Sequence, residues 1–264
     1  MKRQRPTWLL SKSEIISSPS CADGMTAEIE RKLRKATCEA ISEIGKKVLN
    51  DDSVIFTAMV LFNRFVCQRS MVGQDSLGIA IACLLIAGKA TDFYVNASRC
   101  SLKTLAPEYL SNMGGTAISS SNGLAPDAVN AARETIAQLE RQVLFVLEYD
   151  VHVDLPLTNI QDNLPKLTEA KLGDDLGSDF INLADQLAKE MLYTSLCVRF
   201  DGKTLALTSI IICLKKQMDN DLSASKCDII LSSLEEVEKR ILDEALVEIP
   251  VFLNERAVKT KEQG

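Results

Sequence analysis

The chain has one histidine, His152, and eight cysteines of which no two form a C-x-x-C pair. A zinc or His-rich metal centre needs clustered ligands, and this spacing does not provide them. There is no G-x-x-x-x-G-K-[ST] phosphate loop and no G-x-S-x-G nucleophile elbow. The catalytic-loop Arg-Asp and the Asp-Phe-Gly of a protein kinase are missing too. His152, in YDVHVD, is the one candidate base, and the expectation is a histidine packed at a helix end. The sequence therefore reads as no enzyme, with no catalytic residue, no metal and no cofactor. Apolar runs stop short of the roughly 20 residues of a membrane span, and the N-terminus shows no signal-peptide core. No membrane partner is expected.

Aromatic residues make up only 5% of the chain, yet 46% is hydrophobic, enough for a real core. A length of 264 residues fits one large domain or two of roughly 100–150 residues. The net charge of −6 argues against nucleic acid as a direct partner, since phosphate binding wants clustered Lys and Arg. Cysteines such as Cys83 and Cys213 lie inside apolar helical patterns, the usage of a reducing compartment, cytosol or nucleus. The basic ends (Lys2, Arg3, Arg5; Lys259, Lys261) fit either a nuclear address or solvated termini.

Hydrophobic periodicity is helical almost throughout, so the fold class is all-α. A helix is expected over Thr26–Leu49 with Ile29, Leu33, Ala36, Ala40 and Ile44 on one face. Asp51-Asp52-Ser53 caps a second, VIFTAMVLFNRFV, and Asp75-Ser76 opens a third that runs to Lys89. A fourth covers Ser101–Ser111, Met113–Ala125 reads as a flexible Gly- and Ser-rich loop, and a fifth covers Pro126–Leu147. Beyond a Pro-flanked connection at Val153–Pro156, helical stretches recur near Leu157–Leu167, Asp179–Cys197, Lys203–Met218 and Leu234–Ala245. LTSIIICLKK (Leu207–Lys216) looks like the counterpart of IAIACLLIAGK (Ile79–Lys89), which suggests an internal duplication.

Two charges stand in apolar stripes. Lys89 shares a face with Leu85, Ile86 and Ala82; Glu140 is aligned with Ile136, Val143, Leu144 and Leu147. A cation at a helix C-terminus is favoured by the dipole. A carboxylate in an apolar stripe must reach water, meet a cation, or accept hydrogen bonds from another protein. Opposite charges flanked by apolar residues suit a protein-binding surface.

LFNRF (Leu61–Phe65), IACLLIAGKATD (Ile81–Asp92) and LERQVLFVLEYDVHV (Leu139–Val153) resemble the cyclin box. TWLLSKSEIISSPS (Thr7–Ser20), Glu30–Arg34 and ISEIGKKV (Ile41–Val48) are similar to the opening of the transcriptional cyclins of the T, K and L types. The resemblance implies two tandem five-helix cyclin boxes, at 25–152 and 153–250. An N-terminal extension (1–24) would pack on the first box through Trp8 and Leu9, and a tail would span 251–264. It implies Lys89 and Glu140 as contacts to a cyclin-dependent kinase catalytic subunit, and Arg34 as a framework residue. It also implies a nuclear regulatory subunit that activates its kinase toward the repetitive tail of RNA polymerase II. Departures are present. Ala90-Thr91-Asp92 replaces a hydrophobic residue followed by two acids, and Asn63 stands where cell-cycle cyclins carry Asp. Leu33-Arg34-Lys35-Ala36-Thr37 matches poorly the motif of the patch with which cell-cycle cyclins recruit Arg-x-Leu substrates. Two other readings share the fold: a scaffold that activates no kinase, and a TFIIB-like factor that binds DNA.

Overall fold

In the computed structural model, residues 8–91, 99–113, 118–119, 123–167, 178–217, 227–228, 230–232 and 234–261 are described. The chain divides into two compact units. Residues 1–153 with 192–198 form the first, and residues 154–191 with 199–264 the second.

The first unit opens with two short helices, α1 (Lys12–Ile16) and α2 (Pro19–Ala22). α3 (Ala27–Val48) starts at Thr26, whose side chain accepts from the Ile29 N–H, and α4 (Asp52–Gln68) starts at Asp51, which accepts from Ser53 and Val54. α5 (Ser76–Thr91), α6 (Leu102–Asn112) and α7 (Pro126–Val146) complete the bundle. α5 is buried without interruption from Gly78 to Gly88, since α3, α4, α6 and α7 all pack on it. This explains its lack of a polar face. Each buried Ile and Leu of that run stabilises by roughly 1.5–3 kcal/mol.

The buried face of α3 differs from the expected one. Ile29 is 54% exposed, whereas Glu30 and Arg34 are 5% and 3% exposed. The two charges go inside because they neutralise each other, and the helix turns accordingly. Asn63 of α4, fully buried, donates to the Leu192 carbonyl at 3.3 Å. The Leu192–Val198 segment thus belongs to the first unit.

Between α6 and α7, β1 (Ile118–Ser119) and β2 (Gly123–Leu124) form a two-residue antiparallel ladder, Ile118 opposite Leu124. The rest of the expected loop, 114–117 and 120–122, lies outside the described residues.

In the second unit, α8 (Pro156–Leu167), α9 (Ser178–Leu192), α11 (Gly202–Gln217) and α12 (Glu236–Lys261) are the main helices. The stretch expected as one helix over Asp179–Cys197 is broken. α9 stops at Leu192, and the four-residue α10 (Leu196–Arg199) follows a turn. The Thr194 hydroxyl accepts from the Leu196 N–H, offering the backbone an alternative to the helix. α11 repeats the character of α5: Leu205, Ile210 and Leu214 are at most 1% exposed, and its last turn carries Lys215 and Lys216. α12 continues through Pro250 to Lys261, across residues read from sequence as a tail. Leu242, Ala245 and Ile249 anchor it in the core up to that proline.

Candidate functional site

Lys89 and Glu140 come from different helices and meet. The Lys89 Nζ donates to Glu140 Oε1 at 2.6 Å. Lys89 lies in the last turn of α5, where the dipole favours a cation. Glu140 is placed by the neighbouring stripe of α7, in which Ile136, Val143 and Leu147 are completely buried. The side chains are 47% and 14% exposed, so the pair is a surface one. Such pairs contribute about 0–1 kcal/mol to stability. The contact leaves Glu140 Oε2 and two of the three ammonium protons without a partner among the described residues. Those groups are available to a second molecule. Asp92 lies outside the described residues; the Thr91 hydroxyl turns back to the Ala87 carbonyl at 2.8 Å.

Arg34 faces inward. Its Nη2 and Nε donate to Glu30 Oε1 at 2.6 and 2.9 Å, and Nη1 donates to Asn63 Oδ1 at 3.0 Å. Burial works against its charge, the Cys67 thiol and the Glu30 carboxylate favour it, and the net direction is above arginine's ordinary value. Ser18 donates to the other oxygen of Glu30. One buried cluster therefore joins the approach to α2, α3 and α4.

Trp8 Nε1 donates to Asp150 Oδ2 at 2.6 Å, and the Arg64 guanidinium lies 5.4 Å from the indole centroid. Leu9 is half-buried beside it, and the Leu10 N–H donates to the Val198 carbonyl at 2.8 Å. Arg64 also donates to the His152 carbonyl at 2.8 Å. His152 is exposed, not packed: its backbone is engaged, and its imidazole has no partner among the described residues. The Trp8–Asp150 bond spans 142 positions and had no sequence signal.

Among the described residues, no group of His, Cys, Asp and Glu could hold a metal ion. Burial pushes the Cys83 and Cys197 thiols well up, opposite to the activation a nucleophile needs. No helix of the described residues is long and apolar enough to cross a membrane. A pocket of about 500 Å3 adjoins the pair, and Lys89, Lys103 and Arg133 share its wall. Sequence reasoning missed Lys103 and Arg133, because only packing brings their separate helices together.

The cyclin N-terminal domain pattern matches residues 7–152. The chain belongs to the cyclin family. This cyclin is 26% identical to Cyclin-L1-1 of Oryza sativa subsp. japonica over 209 residues, which covers 76% of the chain and 44% of that relative. It is 22% identical to Cyclin-T1-2 of Arabidopsis thaliana over 242 residues, 89% of the chain and 50% of the relative. Cyclin pch1 of Schizosaccharomyces pombe is 23% identical over 216 residues, 81% of the chain and 59% of the relative. The cyclin thus spans about half the length of the relatives it matches, and it is of the T/K/L type. Its fold is that of a chain in the yeast TFIIK (Kin28/Ccl1/Tfb3) complex, at a TM-score of 0.67 and 15% identity, over 92% of this chain and 96% of that one. The all-α, two-box cyclin architecture follows.

Proposed function

We propose that this cyclin is the regulatory subunit of a cyclin-dependent protein kinase of the transcription type. The pair would act on the C-terminal repeats of RNA polymerase II in the nucleus. The observation that carries the reading is the exposed Lys89–Glu140 pair, whose unused donors and acceptor sit at the end of a fully buried helix. The likeness to T- and L-type cyclins supports it, as does the presence of Kin28 in the name of the complex with the matching fold.

The cyclin contributes no catalytic group in this reading. A protein kinase works only when its β3 Lys–αC Glu pair is in place and its activation loop is ordered. A rigid surface that binds the inward position of the αC helix better than the outward one shifts the kinase population toward the active state. Lys89 would donate to kinase carbonyls, and Glu140 Oε2 would accept from a kinase N–H. Such charge-assisted bonds are worth about 1.5–3 kcal/mol each. We assign 1–24 to an extension on the first box, 25–152 and 153–250 to the boxes, and 251–264 to the C-terminal tail. Arg34 acts as the framework residue.

The test uses the charge swap Lys89→Glu/Glu140→Lys. Because the residues face each other, the swap keeps their mutual attraction and reverses only what a partner meets. Wild-type and swapped chains are tagged, checked by thermal melting, incubated with nuclear extract, and assayed on a polymerase-tail repeat peptide. Kinase activity bound to wild type and lost from the folded swap is expected. Equal activity on both would move the docking surface elsewhere. No activity on either would overturn the regulatory-subunit reading in favour of a scaffold.

A further inference from the structure

The pocket beside the Lys89–Glu140 pair is basic in a way the pair does not explain. Its wall carries Lys89 from the end of α5, Ser101 and Lys103 from the start of α6, and Arg133 from α7; Leu85 and Leu102 supply an apolar side. Among the described residues no carboxylate lines it. Glu140 compensates Lys89 at 2.6 Å, which leaves two positive charges unbalanced among the described residues. Lys103 makes no ion pair or hydrogen bond among the described residues. Arg133 donates from Nη1 to Asn130 Oδ1 at 3.3 Å, while its Nε is shut off from solvent without an acceptor. A buried guanidinium donor with no acceptor is unfavourable, so a shift of the Arg133 side chain that brings its donors to an arriving oxygen is favoured.

Two unbalanced cations with free donors call for a compact anion. A phosphate monoester carries about −1.5 to −2 charge at neutral pH and three strong acceptor oxygens; a carboxylate offers a single charge and two oxygens. Phosphate is the better match in both charge and donor number. A polynucleotide is disfavoured, because the cations occupy one pocket rather than a stripe and the chain as a whole carries −6. The volume lies within the ~300–1,000 Å3 of small-ligand sites, room for one modified side chain and an apolar neighbour against Leu85 and Leu102.

We propose that the pocket between α5, α6 and α7 binds the phosphate of a phosphoserine or phosphothreonine side chain on a partner polypeptide. Lys103 and Arg133 are its specific ligands, and Lys89 is shared with the proposed kinase-docking surface. The inference does not depend on that surface, since neither Lys103 nor Arg133 belongs to it.

The experiment uses the full chain and fluorescein-labelled degenerate short peptides with a fixed central phosphoserine, read by anisotropy. Matched pools with serine and with glutamate serve as controls. Binding of the phosphoserine pool at least about tenfold tighter than either control is expected, with competition by inorganic phosphate. The affinity should rise as pH passes about 6 and the second phosphate proton leaves. Lys103→Gln/Arg133→Gln should lower affinity about tenfold or more, whereas Lys103→Arg should keep it. Lys103→Glu, at an exposed position that leaves folding intact, should also abolish it. Equal binding of the three pools would overturn the proposal. So would a glutamate pool as tight as the phosphoserine pool, or unaltered phosphopeptide binding by the folded Lys103→Glu chain. Lys89 and Glu140 are intact in every variant, so failure of the kinase reading shows up separately in the charge-swap assay.

Discussion

Replacing Arg34 by methionine keeps the unbranched stem as far as the position of Nε and removes the charge. Glu30, 5% exposed, would lose both guanidinium bonds and retain Ser18 Oγ and the Cys21 thiol at 3.5 Å. Asn63 Oδ1 would lose its donor as well. Removing one member of a buried ion pair typically costs about 3–5 kcal/mol, because the other is left desolvated and uncompensated. For a unit of this size about 2–4 °C per kcal/mol applies, so melting should fall by roughly 6–20 °C. Trp8, the only tryptophan, lies in the same unit, so its fluorescence in urea follows this transition. Adding Glu30→Gln to Arg34→Met removes the orphaned charge and should recover at least half of the loss. The pH dependence has a definite sign. A buried carboxylate without a cation holds its proton to higher pH in the folded chain than the ~4.3 of the unfolded one. The folded variant then binds more protons than the unfolded chain, so its stability rises as pH falls. The deficit against wild type should shrink between pH 7 and 5. A loss below about 1 kcal/mol, or a double variant weaker than Arg34→Met, would refute the account of this cluster.

Two further outcomes concern the end of α5. A Cβ on Gly88 would fall against the Cys100 thiol, with the Cys100 Cβ at 2.5 Å. Gly88→Ala should therefore cost about 1–3 kcal/mol from overpacking, offset by about 1 kcal/mol of helix propensity. Adding Cys100→Gly should open the space, and a melt that does not recover would locate the strain elsewhere. The second outcome is alkaline. Burial pushes the Cys100 thiol from 9.0 up to about 11, Lys89 and a backbone bond at Gly88 working against it. Above pH 9 the unfolded chain loses this proton first, so stability present below that pH is lost as pH rises toward 11. Two units correspond to roughly 3 kcal/mol at most. Urea midpoints between pH 8 and 10.5 should fall less steeply for Cys100→Ala than for wild type, and parallel slopes would sink the assignment.

Much of the first unit was legible because local chemistry and packing agree there. Thr26 and Asp51 start helices at the positions their side chains dictate, and α7 was expected over Pro126–Leu147 and runs from Pro126 to Val146. The absence of a polar face on α5 has its physical reason in the four helices packed around it. Misreadings arose where a side chain found a partner that periodicity does not encode. The apolar face of α3 was placed on Ile29, which is exposed, because an i,i+4 pair such as Glu30–Arg34 can enter a core once each neutralises the other. The break after Leu192 was hidden because Leu192 and Leu196 keep the apolar spacing across Thr194, whose hydroxyl ends the helix. Lys103 and Arg133 carried no signal because their meeting place exists only after α6 and α7 have packed on α5.

Lys89 ends a segment buried on every side, and burial is what gives its charge a use. Eleven buried residues, from Gly78 to Gly88, at about 1.5 Å per residue make a shaft some 16 Å long with no freedom to rotate. Gly88 brings the far end of that shaft onto Cys100, whose thiol donates to the Leu84 carbonyl at 3.1 Å. Position 89 is the first at which a charged group can reach water, and Glu140 is placed opposite by a stripe just as buried. The pair itself adds little to stability, yet its location is set by a helix buried on every side. A partner that docks there meets donors and an acceptor already in place and bears little of the ordering cost that weakens most interfaces. A flexible surface lysine could carry the same charge, but it could not offer the proposed kinase partner a donor in one fixed position.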